Sequence, residues 1–179
     1  MFAIESFVDQ CRAALQSDDP PATVATVLRD ALQDRESIAA AIKTWRSTAA
    51  GPYSAVYRAP DLTILHAAVP PGFESPRHNH TMWAVIGVYE GREDNTFYRR
   101  RTDGKNEIEE VGRTAIHAGD AQVLAPDVIH RITNHATAPL QAIHVYGGDL
   151  LGTDRSMWDE DTDEERRFEF SATPVPPSN

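Results

Sequence analysis

Pro76-Arg77-His78-Asn79-His80 is the stretch on which the reading of this chain turns. On an extended strand, residues i and i+2 point to the same face, so His78 and His80 can present two imidazoles to one metal ion. Imidazole suits iron, zinc, nickel and copper alike, and the pair does not choose among them. Two exposed histidines beside a turn would show the same spacing, so the surroundings must decide.

Outward from the pair, residues 51–147 are punctuated by glycine and proline, from Gly51-Pro52 and Pro70-Pro71-Gly72 to Gly119, Pro126 and Pro139. Between them lie short β-rich runs: Ser54–Arg58, Leu62–Val69, Met82–Tyr89, Thr96–Arg101, Ile108–Val111, Ala121–Leu124, Val128–Thr133 and Leu140–Tyr146. Many short strands at this spacing predict a mostly β sandwich or small barrel. Upstream, Phe7, Val8, Cys11 and Ala14, then Val24, Val27, Leu28, Ala31 and Leu32, then Ile38, Ala41, Ile42 and Trp45 recur at helical spacing. They predict two or three short helices with an acidic outer face, the second opened by Asp18-Asp19-Pro20-Pro21. Downstream, Asp159–Glu165 reads as a solvated acidic loop and Arg167–Phe170 as a late edge strand. The expected organisation is a helical segment over 1–50 packed on a β unit over 51–172, with a flexible tail over 173–179.

The chain has 179 residues, 17 basic and 27 acidic, and a formal net charge of −10. That balance argues against nucleic acid or an anionic membrane as the main partner. No run approaches the roughly 18–20 apolar residues of a membrane span. Glu5 and Asp9 stand where a secretory signal would carry lysine or arginine, and the lone Cys11 cannot form an internal disulfide. A cytoplasmic protein is expected, with Cys11 buried and inert on its helix stripe.

Gly72 precedes His78 by six residues, Gly91 follows His80 by eleven, and Pro126, His130 and Asn134 lie further on. This arrangement resembles the two-motif signature of the cupins, whose fold is a double-stranded β-helix (jelly-roll) barrel. The resemblance implies His78, His80 and His130 as metal ligands and N-terminal helices packed outside the barrel. The glutamate that usually follows the cupin His pair is missing, since Ala84 and Val85 occupy that stretch. Three neutral imidazoles leave a divalent ion its full charge and open positions, which suits an anionic ligand such as a thiolate together with O2.

Ala142-Ile143-His144-Val145-Tyr146 places His144 and Tyr146 at i and i+2. Taken alone, this pair also fits a core histidine beside a packed tyrosine. With the ligand motif it resembles the Ser-x-His-x-Tyr of the cysteine dioxygenase family of thiol dioxygenases. The resemblance implies Tyr146 as a hydroxyl donor near the metal and His144 as the residue that orients it. Ala142 stands in place of the family's serine. Val85, seven residues after His78, stands where some members carry a cysteine crosslinked to the tyrosine. The resemblance also puts a carboxylate-binding arginine near Tyr57-Arg58, a guanidinium fork being matched to a carboxylate. A surface Arg58 paired with Asp61 or Glu90 is the simpler reading of the same residues. Trp83 is expected on the face opposite His80, and His66, His117 and His135 match no motif.

The implied function is a non-haem Fe(II) enzyme oxidising a small thiol such as cysteine or 3-mercaptopropionate to its sulfinate with O2. Zinc, nickel or manganese remain open as the metal, and a homodimer is compatible with the fold. Another metal-dependent cupin enzyme (a ring or diketone dioxygenase, or an isomerase) and a non-catalytic metal- or ligand-binding cupin are the alternatives.

Overall fold

The computed structural model describes residues 1–45, 52–101 and 107–169. The expected helix-to-barrel boundary at residue 50, the expected barrel end at 172 and the tail over 173–179 lie outside the described residues. Three helices come first: α1 (Ile4–Ala14), α2 (Pro20–Leu32) and α3 (Arg35–Trp45). The start of α2 follows from its sequence. Asp19 accepts a hydrogen bond from the Ala22 amide at 3.2 Å, and proline fills the first helical positions, where no backbone donor is needed.

Eleven strands follow among the described residues: β1 (Tyr53–Ala59), β2 (Leu62–Val69), β3 (Arg77–Asn79), β4 (Ala84–Glu90), β5 (Arg92–Arg100), β6 (Ile108–His117), β7 (Ala121–Leu124), β8 (Ile129–Thr133), β9 (Leu140–Tyr146), β10 (Ser156–Trp158) and β11 (Glu165–Arg167). All recorded pairings are antiparallel, and they build two sheets, ordered β1-β2-β9-β4-β7 and β11-β10-β3-β8-β5-β6. The fold is therefore mostly β with helices outside it, in the jelly-roll arrangement read from the sequence. The two sheets remain separate rather than closing into one hydrogen-bonded barrel.

The five-stranded sheet is buried on both faces, which is why β2, β4 and β9 read as nearly continuous apolar runs. Leu62, Ile64, Val85, Ile143 and Val145 face the helices, where they join Phe7, Cys11, Val24, Leu28, Leu32 and Ile38. Leu65, Ala67, Ile86, Val88, Ala142 and Tyr146 form a second cluster on the inner face. Helix α2 approaches closely over Gly87. A Cβ at that position would lie 2.6 Å from the Leu28 side chain, so the glycine sets the helix-to-sheet distance.

Two strands are longer than hydrophobicity alone suggests. β5 begins at Arg92 rather than Thr96, and β6 continues to His117 rather than ending at Val111. Pairing causes both extensions, because β5 has hydrogen-bonded neighbours on each side and the ladder runs on through polar residues. The acidic segment is also more structured than a solvated loop. The β10–β11 hairpin adds to the edge of β3, and its turn is tied down by arginines. Arg77 pairs with Asp163 and Glu160, Arg131 with Glu160 and Glu74, and Arg100 with Glu165. No helix among the described residues is long and apolar enough to cross a membrane.

Leu28→Ala is expected to destabilise the protein by about 3 kcal/mol in urea unfolding, because it leaves a void between α2 and the sheet. Metal binding measured in the same variant should be retained, since the void opens on the face away from the histidines.

Candidate metal centre

His78 and His130 are cross-strand partners on β3 and β8, so strand pairing alone sets them side by side. His80 lies just past the end of β3, on the same face as His78. The chain then turns at Thr81, whose φ of 60° is unusual for a residue with a Cβ. The three rings meet with centroids 5.1 Å (His78–His80), 4.7 Å (His78–His130) and 4.9 Å (His80–His130) apart. One nitrogen from each ring lies within 4.8 Å of the others.

The hydrogen bonds fix which nitrogens face inward. The Pro76 carbonyl lies 2.9 Å from His78 Nδ1, and a carbonyl only accepts, so Nδ1 carries the hydrogen and Nε2 keeps its lone pair. Asn95 Oδ1 lies 2.7 Å from His130 Nδ1 and gives His130 the same polarity. His130 Nε2 and His80 Nε2 face each other at 3.2 Å. His80 Nδ1 is buried and meets no hydrogen-bond partner among the described residues.

All three imidazoles are pushed towards the neutral form. Burial, aided by the charge of Arg155, lowers His78 to about 3. Burial and then the neighbouring imidazoles hold His80 and His130 well below the ordinary histidine range. Three buried bases with converging lone pairs fit a divalent ion that accepts imidazole. No carboxylate joins them among the described residues.

The facing sheet contributes His144 and Tyr146 from β9. The Tyr146 ring packs edge-on to His80 at 5.0 Å, and its hydroxyl lies 3.1 Å from His144 Nδ1. His144 Nε2 lies 3.0 Å from Glu93 Oε2, while Glu93 Oε1 accepts from Asn95 Nδ2 at 3.0 Å. A continuous hydrogen-bonded path therefore runs from His130 through Asn95, Glu93 and His144 to Tyr146. Burial pushes the Tyr146 hydroxyl up, and it does the same to Tyr53, whose ring stands edge-on to His144 at 6.2 Å.

Arg155 closes the arrangement. Its residue is 7% exposed, and its guanidinium carbon lies 3.7 Å from the centroid of the Phe168 ring. Burial lowers its pKa to about 10, and its charge acts on His78, His80, His130 and Tyr146. Phe168 in turn packs on His78 at 5.4 Å. The segment after β11 thus lays an aromatic ring over both the histidines and the buried arginine.

Tyr57 and Arg58 are not brought to this cluster. A register shift between Ala55 and Tyr57 breaks the alternation that keeps Tyr53 and Ala55 inward, and Tyr57 packs on the helix-side core. Arg58 makes a two-pronged ion pair with Asp149 at 2.7 and 2.9 Å, with its side chain 37% exposed. Trp83 packs on the helix-side core, and a Cβ on Gly147 would lie 2.1 Å from its indole. Val85 faces the helices rather than Tyr146, and Ala142 packs in the inner cluster. His66 is buried against the Tyr89 hydroxyl at 2.8 Å, and Cys11 is buried with its thiol pushed up to about 12.

Glu93, Asn95, Tyr53, Arg155 and Phe168 are the site residues that sequence reasoning missed. Glu93, Asn95 and Phe97 alternate along β5, which was a readable signal. Arg155 lies in irregular chain and carried none.

No protein-family model matches this chain, and no curated protein does. Solved structures resemble it at low identity. An RmlC-like cupin with a double-stranded β-helix fold from Methanocaldococcus jannaschii is 15% identical, with a TM-score of 0.47, over 59% of this chain and 87% of that one. A Cupin 2 conserved barrel domain protein from Salinispora arenicola is 26% identical, with a TM-score of 0.38, over 50% and 64%. The oxalate decarboxylase of Bacillus subtilis, a protein with Mn(II) centres, is 19% identical, with a TM-score of 0.40, over 50% and 22%.

Titration with Co(II), followed by its visible absorption, is expected to saturate at one ion per chain. His130→Ala should abolish that stoichiometric binding without unfolding the protein, as judged by circular dichroism.

Proposed function

We propose that this protein is a non-haem Fe(II) thiol dioxygenase whose substrate is a small thiol bearing a carboxylate. The observation that carries the reading is a set of three neutral buried imidazoles, with Tyr146 edge-on to one of them and the buried guanidinium of Arg155 beside them. The overall reaction is RSH + O2 → RSO2⁻ + H⁺, in which sulfur is oxidised and both oxygen atoms enter the product. His78, His80 and His130 would hold the metal. When bound, Fe(II) supplies positions for a thiolate and O2 and the electrons that activate O2.

The rest of the work belongs to the chain. Arg155 is a match for the substrate carboxylate, because a guanidinium held at low exposure gains more from an ion pair than a solvated one does. Its place near the histidines gives it the role that the sequence resemblance assigned to Arg58. Phe168 and Tyr53 exclude water from the space between the sheets, which strengthens every charge interaction there. Tyr146 supplies a hydroxyl beside His80, held by His144.

The test is O2 uptake by anaerobically Fe(II)-loaded protein with cysteine, 3-mercaptopropionate and the uncharged 2-mercaptoethanol. Uptake should favour a carboxylated thiol and yield its sulfinate by mass spectrometry. Arg155→Ala should raise KM for the carboxylated thiol at least tenfold, an effect of about 1.4 kcal/mol, and change little for 2-mercaptoethanol. Tyr146→Phe should lower kcat far more than iron content. Iron bound in full with no thiol-dependent uptake would reject the reading.

A further inference from the structure

We infer that Glu93 is the positioning residue of the metal centre, and that it turns the hydroxyl of Tyr146 into a hydrogen-bond acceptor towards whatever ligand lies beside His80. The inference deepens the proposed function and rests on its metal site. It starts from Glu93 and Asn95, to which the sequence motifs assign no role.

Glu93 is 0% exposed and Asn95 is 1% exposed, both on the inward face of β5. A carboxylate in such a place is tolerable only when its oxygens are hydrogen-bonded. Both are: Oε1 accepts from the Asn95 amide at 3.0 Å, and Oε2 meets His144 Nε2 at 3.0 Å. A carboxylate has no hydrogen to donate, so each of these bonds has a fixed direction.

The first direction sets His130. With its NH2 group held by Glu93, Asn95 must turn its carbonyl oxygen to His130 Nδ1. That nitrogen then carries the hydrogen, and Nε2 presents its lone pair to the site. An outer partner of this kind orients a metal-binding histidine and fixes its tautomer.

The second direction sets Tyr146. His144 donates from Nε2 to Glu93, so in the neutral ring Nδ1 is an acceptor. The Tyr146 hydroxyl, 3.1 Å away, donates to it. The hydroxyl hydrogen therefore points to His144, and the oxygen lone pairs are left for the ligand. This is the reverse of the donor role that the family resemblance implies. Glu93 reaches His144 from another strand and supplies the outer partner that Ala142, a methyl group in the inner cluster, cannot provide.

The polarity can be read without turnover. Protein labelled with 15N-histidine and loaded with Zn(II) would be examined by long-range 1H–15N NMR, with His144→Asn and His130→Asn used to assign the two rings. The expected result is hydrogen on Nε2 of His144 and on Nδ1 of His130. Hydrogen on Nδ1 of His144, alone or together with Nε2, would overturn the inference from the wild-type protein alone.

Glu93→Gln provides the second arm. The introduced amide has one accepting and one donating end, so it cannot accept from both Asn95 and His144. At least one of the two rings should exchange its tautomer, and no change in either would overturn the inference. Neither readout depends on thiol oxidation. A protein that shows these tautomers but oxidises no thiol would retain the positioning role and lose the proposed activity. An active dioxygenase with the opposite tautomers would do the reverse.

Discussion

Two sheets enclose three imidazoles at the candidate metal centre, a fourth at His144, a carboxylate and a guanidinium, and that density of polar groups is the constraint on which the site depends. A buried polar group left without a partner is costly, and an unpaired buried charge is severely destabilising. The solution is sequential: His130 to Asn95, Asn95 to Glu93, Glu93 to His144, His144 to Tyr146. The links come from β8, β5 and β9, so the path ties the two sheets together through their interior. It is also directional, because only one member is a pure acceptor.

The scaffold makes such a site affordable by concentrating apolar burial elsewhere. The helices cover the outer face of the five-stranded sheet, and their core runs unbroken from Phe7 to Val145. The inner face is then free to mix apolar residues near β2 and β4 with polar ones towards β9. On the other sheet, the β10–β11 hairpin extends β3 at the edge nearest the histidines. Its acidic turn is latched by Arg77 and Arg131, which flank His78 and His130 in sequence. The same two strands therefore supply imidazoles inward and arginines to hold the covering segment.

Placement was legible in the sequence where local geometry suffices. That His78 and His80 share a face, that His144 and Tyr146 share another, and that Cys11 is buried follow from strand and helix periodicity. The bounds of β2, β7 and β9 follow from their apolar runs. Reasoning stopped where pairing or an irregular path decides the outcome. A one-residue register shift sent Tyr57 to the helix side, and Asp149, ninety-one residues from Arg58, took the guanidinium. Glu93 and Asn95 alternate as an inward face should, but polar residues in alternation also describe a solvated face. Only the pairing of β5 with both β6 and β8 separates those two meanings. Arg155 lies between β9 and β10, in irregular chain fixed by contacts with distant residues, such as Thr63 Oγ1 donating to the Gly148 carbonyl at 2.7 Å and the Phe168 amide donating to the Arg155 carbonyl at 2.7 Å.

The missing ligand carboxylate and the buried arginine make sense together. A divalent ion among three neutral imidazoles keeps both its charges, and Arg155 adds a third, while Glu93 offsets one from behind His144. The space between the sheets would remain positive and poorly solvated, so it favours a ligand that enters with negative charge and loses a proton on arrival. A carboxylated thiol meets both conditions: its carboxylate suits Arg155, and its sulfur gains from becoming a thiolate. The proton it sheds needs an acceptor. Tyr146, with its lone pairs turned to the ligand, would take that proton only while passing its own hydrogen to His144 Nδ1, and Glu93 would then hold the imidazolium formed. The glutamate absent beside the three histidines and the glutamate present behind the relay would thus act in one direction, the first leaving the ion its full charge and the second holding the imidazole to which Tyr146 passes its hydrogen.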